Sequence, residues 1–147
     1  MISALIKETI REFEEIYPGI TVRQINGGFC RYFATILSNK LKELGVVHQV
    51  VDDRNFRVPS EFDDGQFDEK LFEEHWPDVK IPPDLRNPYY SCSHAWVVVK
   101  GVHYDSESPE GVKNLFDLEI FKRAVQGIRD REIDIPSAVS ILDKVKA

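Results

Sequence analysis

Apolar residues Ile2, Leu5, Ile6, Ile10, Phe13, Ile16 and Tyr17 recur at three- and four-residue steps, with Glu and Lys between them. That spacing predicts an amphipathic helix over residues 2–17, stopped by Pro18 and Gly19. Residues 20–25 read as a short extended entry into the turn pair Asn26-Gly27. A second helix over about 28–44 follows from Phe29, Phe33, Ile36, Leu37, Leu41 and Leu44, with Gly45 placed to cap it in the left-handed conformation. The β-branched run at 46–51 then predicts the first strand.

From residue 52 the pattern changes. Five prolines and a cluster of acids fall between 52 and 90, and only 67–76 keeps helical spacing, so an irregular insertion over about 52–92 with one short helix is expected. Inserted loops of this length commonly select substrates. Strand chemistry returns at 95–99, turns at Lys100-Gly101 and continues at 102–104 as a β-hairpin. Residues 115–124 read as helix, 129–135 as a charged connector able to hold an edge strand, and Pro136 opens a last helix ending near Lys146. The expected class is α+β: a single domain over 1–147, an antiparallel sheet with a long helix packed across it.

A length of 147 residues suits one hydrophobic core. The net charge of -6 repels phosphate backbones, which argues against a nucleic-acid partner. The longest apolar runs, such as 95–99, fall far short of the ~20 residues that cross a bilayer, and no signal core opens the chain. No membrane partner and a cytoplasmic location are therefore expected. Two cysteines, Cys30 and Cys92, are too few for a disulfide framework.

The segment from Gln24 to Cys30 places a thiol in the first turn of the long helix, directly after Gly27, Gly28 and Phe29. The positive end of a helix dipole favours an anion, so a cysteine there loses its proton more easily than a free one. The same amides can hold an oxyanion, and Gln24 is a further amide donor within reach of that spot. A thiolate nucleophile needs a base, and the base needs a partner that orients it. With Lys100-Gly101 as a two-residue turn, Trp96 lies opposite Asp105 and His94 opposite Glu107. His94 and Asp105 then share a face as diagonal neighbours.

The stretch GGFCRYFATILSNKLKELG resembles the nucleophile helix of papain-like and transglutaminase-like cysteine enzymes. HAWVVVKGVHYD resembles their histidine strand followed by the acid strand. The likeness covers roughly half the chain, 24–51 and 93–112. It implies Cys30, His94 and Asp105 as a catalytic triad and Gln24 as the oxyanion glutamine six positions before the cysteine. A nearer likeness is to small bacteriophage proteins that carry HxWxxxxGxxYDxExPEGV, which here runs from His94 to Val112. In two respects the chain departs from the papain-like pattern: Cys30 is followed by Arg31 and Tyr32 rather than directly by an aromatic, and the insertion lacks a specificity motif.

The function implied is thiol-dependent acyl transfer on an amide bond of a protein or peptide substrate, hydrolysis ahead of transglutaminase or deamidase chemistry, with no cofactor and no metal. A non-enzymatic phage-type protein that binds a host factor, in the host cytoplasm, is the alternative from another class. Structural readings stand beside these. A lone cysteine on an apolar helix is often core filler; Cys92 is a second thiol in a loop; and Cys92, His94, His103 and Asp105 compose an alternative metal site of no common zinc spacing. Phe29 and Trp96 are candidates to wall the substrate site, although an aromatic on a strand is more often core. His48 and His75 read as structural or surface histidines, the acids from Glu61 to Glu74 as a solvated face, and Glu107 and Glu110 as turn and cap residues.

Overall fold

Three helices precede the first strand of the structure, a computed structural model that describes residues 1–53, 57–58, 66–86 and 93–130. Helix α1 (Ile2–Ile16) buries Ile6, Thr9 and Phe13, the stripe predicted from spacing. The expected extended entry after it is instead a short helix, α2 (Val22–Gly28). A capping box forms it: the Thr21 hydroxyl accepts from the Gln24 amide, and the Gln24 side-chain oxygen accepts from the Thr21 amide. Thr-x-x-Gln is a local start signal that outweighs the β-branched residues Ile20, Thr21 and Val22.

Phe29 (φ -122, ψ 16) breaks the helical path, and helix α3 (Cys30–Glu43) begins at the next residue. Lys40 ties α3 to α1 by donating to Thr9 and Glu12 at 3.0 and 2.7 Å. Gly45 takes the predicted left-handed conformation, φ +70.

The sheet holds β1 (Gln49–Asp52), β4 (Ala95–Val99), β5 (Val102–Asp105) and β6 (Ser108–Val112), antiparallel in the order β1-β4-β5-β6. Within the insertion lie a two-stranded ladder of β2 (Arg57–Val58) and β3 (Gln66–Phe67), helix α4 (Glu69–His75) and a 3-10 turn at Pro83–Arg86. It is thus more regular than expected. After β6 come a 3-10 turn, Leu115–Asp117, and helix α5 over 119–130; residues 129–130 are helical rather than part of a connector. The expected edge strand and last helix fall beyond 130, outside the described residues, as does Cys92.

Strand β4 is central and buried at every position, which is why AWVVV reads as an unbroken apolar run. Ala95, Val97 and Val99 face α1, α2 and α3 with Phe13, Ile25, Phe33 and Leu37. Trp96 and Val98 face the opposite layer with Val51, Phe72, Leu118 and Phe121. The Lys100-Gly101 turn has φ +48 and +77, the geometry of a type I′ hairpin. Its register, Val99↔Val102 and Val98↔His103, is the one expected.

Strand β6 was not expected, because Pro109 and Gly111 argue against a strand. An edge position tolerates that proline, and the register slips between His103 and Asp105 as a bulge. Gly111 sits in the bulge with φ +79, where an added Cβ would lie 2.4 Å from Val102 Cγ1 and 2.7 Å from Tyr104 Cε1. Among the described residues no helix is long and apolar enough to cross a membrane.

Gly111→Ala is accordingly expected to destabilise the protein by roughly 1–3 kcal/mol or more, from left-handed strain plus overpacking. Gly101→Ala, with nothing near its added Cβ, should carry the strain alone. Urea midpoints of the two variants measure the difference; equal losses would contradict the packing account.

Candidate active site

Cys30 is the first residue of α3, in the position expected from the glycines before it. No side chain caps this helix, so its leading amides point past the tip toward whatever the thiol meets. Across from it lies the residue preceding β4, His94. Its backbone is held from both sides by Asp53: the His94 amide donates to Asp53 Oδ1 at 2.7 Å, and the Asp53 amide donates to the His94 carbonyl at 2.9 Å.

The imidazole Nε2 lies 3.0 Å from Asp105 Oδ2, with His94 fully buried and Asp105 nearly so. Asp105 is pinned by its own turn, since Oδ1 accepts from the amides of Glu107 and Ser108 at 3.0 and 2.9 Å. An acceptor carboxylate at Nε2 requires a proton on that nitrogen. The remaining ring nitrogen, Nδ1, is buried and has no hydrogen-bond partner of good geometry among the described residues. Cys30 interacts with the same ring, which places the thiol as the group available to Nδ1.

Two opposed effects set the charges. Burial alone would disfavour the imidazolium, yet the hydrogen bonds and attraction from Asp105 and Cys30 win and raise His94 to about 9. Burial would likewise push the thiol up, but the His94 ring, the Ala95 amide and the positive charges of His94 and Arg31 outweigh it and hold Cys30 below its ordinary range. The favoured state at neutral pH is a thiolate beside an imidazolium.

Behind the imidazole, Trp96 stacks on it with centroids 5.6 Å apart and planes 17° apart, and Phe121 meets its edge at 6.1 Å. An indole face against an imidazolium favours the charged ring. The Trp96 Nε1–H donates to His103 Nδ1 at 2.9 Å, and burial lowers His103 to about 4, so His103 is a neutral acceptor. Trp96 is only 1% exposed. This corrects its expected role as a wall of the substrate site: it backs the histidine from within the core.

Gln24 is likewise corrected. Its amide oxygen is spent on the capping box at the far end of α2 from Cys30, and the thiol and Gln24 are not brought together. Phe29 packs against Tyr17 and Phe13 at 5.1 and 6.1 Å. With Gln24, Tyr17, Pro18, Gly19 and Ile20 it lines an open cavity of about 370 Å³ beside the tip of α3.

Among the described residues no three His, Cys, Asp or Glu side chains group as a metal site; the alternative built on Cys92 extends outside them. His48 is structural, bonded to Ser38 Oγ and the Val46 carbonyl. Glu107 does more than turn the chain, accepting from Asn26 and, bidentately, from Arg123 at 2.7 and 2.6 Å, so that α2, the β5–β6 turn and α5 are joined. Asp53 and Arg123 were missed because their partners lie 41 and 16 residues away. Only the register of β1 against β4 puts Asp53 beside His94. No family model, curated protein or solved structure matches this chain.

The paired shifts predict a particular pH dependence of stability. The His94 contribution is full below 6.5 and is lost as pH rises through about 9. The Cys30 contribution is full above 9.0 and is lost as pH falls through its lowered folded value. Between 6.5 and 9 the two slopes cancel, because folded and unfolded pairs each hold one proton. Below 6.5 only the unfolded pair takes up a second proton, and neutral His103 acts in the same direction down to about 4. Urea midpoints should therefore decline below pH 6.5. Cys30→Ser should remove the cancellation and add a downward slope between 6.5 and 9; parallel curves for the two proteins would contradict the ion pair.

Proposed function

We propose that this chain is a cysteine acyl-transfer enzyme of papain-like or transglutaminase-like type. Its substrate is an amide bond of a protein or peptide in the cytoplasm, of the host if the protein is viral, and hydrolysis of a peptide or isopeptide bond is favoured over transamidation or deamidation. The observation that carries the reading is the buried His94–Asp105 hydrogen bond of 3.0 Å, which leaves Nδ1 unpartnered for the thiol at the tip of α3.

In this reading the Cys30 thiolate adds to the carbonyl carbon, and the carbonyl oxygen takes the negative charge near the leading amides of α3. The His94 imidazolium gives its Nδ1 proton to the departing amine as the C–N bond breaks, leaving a thioester on Cys30. A water or second amine, deprotonated by His94, then breaks the C–S bond and regenerates the thiolate. Asp105 orients the ring and stabilises its charged form throughout.

Burial supports a second reading. With Cys30 only 6% exposed and His94 at 0%, the groups are packed as in a core, which suits a binding protein that keeps the arrangement and blocks a host factor.

An activated acyl ester such as p-nitrophenyl acetate distinguishes them. Acyl transfer should give a burst of nitrophenol and an acetyl group on Cys30 by mass spectrometry, absent in Cys30→Ala. The burst should be slower by about 10²–10⁴ in His94→Ala. No acyl adduct on folded wild-type protein would overturn the enzymatic reading.

A further inference from the structure

Arg31, the residue after the nucleophile, reaches out of α3 to two separate stretches of chain. Its Nε donates to Asp52 Oδ2 at 3.0 Å, and its Nη2 donates to Asp52 Oδ1 at 3.3 Å and to Ser93 Oγ at 2.8 Å. Asp52 ends β1, and Ser93 directly precedes His94. The next residue along, Asp53, grips the His94 backbone through the two bonds described above. One guanidinium therefore joins the helix that carries the sulfur to both segments that fix the imidazole.

We infer that Arg31 is a positioning residue whose planar fork splints α3 to the chain on either side of His94 and so sets the approach of the thiol to Nδ1. The inference rests on reading Cys30 and His94 as a working pair. Geometry rather than charge is the main effect. The Arg31 side chain is 37% exposed, so solvent screens its field, and Asp52 neutralises it at contact. Two nitrogens of one plane serve acceptors on two segments, which a lysine ammonium, a single point on a flexible stem, does not reproduce.

The test is the rate of Cys30 alkylation by iodoacetamide on the full chain between pH 5 and 9, with thermal midpoints recorded alongside. Wild type is compared with Arg31→Gln, Arg31→Lys, Ser93→Ala and His94→Ala. Both Arg31 variants are expected to alkylate roughly three- to tenfold more slowly at pH 6, with the thiolate titration moved upward and rates converging above pH 9. Ser93→Ala should shift the same way by less. A profile restored by Arg31→Lys would show that charge alone suffices and would overturn the splint. An unchanged profile in folded Arg31→Gln would overturn it too; if that variant does not fold, an unchanged profile in Ser93→Ala does so. A wild-type thiol that titrates ordinarily and ignores His94→Ala would sink the catalytic reading along with it. A lowered, His94-dependent thiol indifferent to Arg31 would sink the splint alone.

Discussion

A charged imidazole in a fully buried position is the constraint around which the rest of this structure is arranged. Desolvating an imidazolium is costly unless a partner charge and well-aimed hydrogen bonds offset it. Asp105 supplies the partner on one side and the thiolate of Cys30 the other, while Trp96 lays its π-face against the ring. Asp105 in turn stays ionised in the interior because two backbone amides of its own turn bond its free oxygen. Each group is in its charged form because the next one is.

That interdependence explains the packing around it. The sheet presents His94, Trp96, His103 and Asp105 to one layer, and this layer is aromatic: Phe72, Trp76, Phe116 and Phe121 close over it. Low-dielectric surroundings strengthen every attraction within the pair and penalise any unpaired state. The insertion therefore contributes to the site from behind, through Trp76 of the α4 end stacked on Trp96 at 6.2 Å. On the opposite layer, α1 and α3 are locked by apolar contacts and by Lys40, which fixes the tip of α3 against the end of β4.

Much of the local structure was readable in advance for a definite reason. The helical stripes of α1 and α3, the continuous apolar run of β4 and the Lys-Gly turn all encode burial or backbone freedom within a few neighbouring residues. Cys30 at a helix start, and His94 and Asp105 on one strand face, follow from those local facts plus one hairpin register. Misreadings arose where a local preference met a competing signal. Thr21 and Gln24 together start a helix in a β-branched stretch, and Pro109 with Gly111 hides an edge strand whose bulge only Gly111 permits.

By itself, then, the chain determined its helices and central hairpin, and the residue types and order of a thiol, an imidazole and a carboxylate, because periodicity and turn chemistry act over short sequence distances. Tertiary structure alone decided what surrounds them: that Trp96 backs the histidine instead of facing substrate, that Gln24 is turned away from the thiol, and that Arg31, Asp52, Asp53 and Ser93 lace the site together. These contacts join residues 21 to 62 positions apart, or depend on which way a side chain turns within its element. No local propensity carries that information; it exists only once two strands and a helix tip have been brought into register.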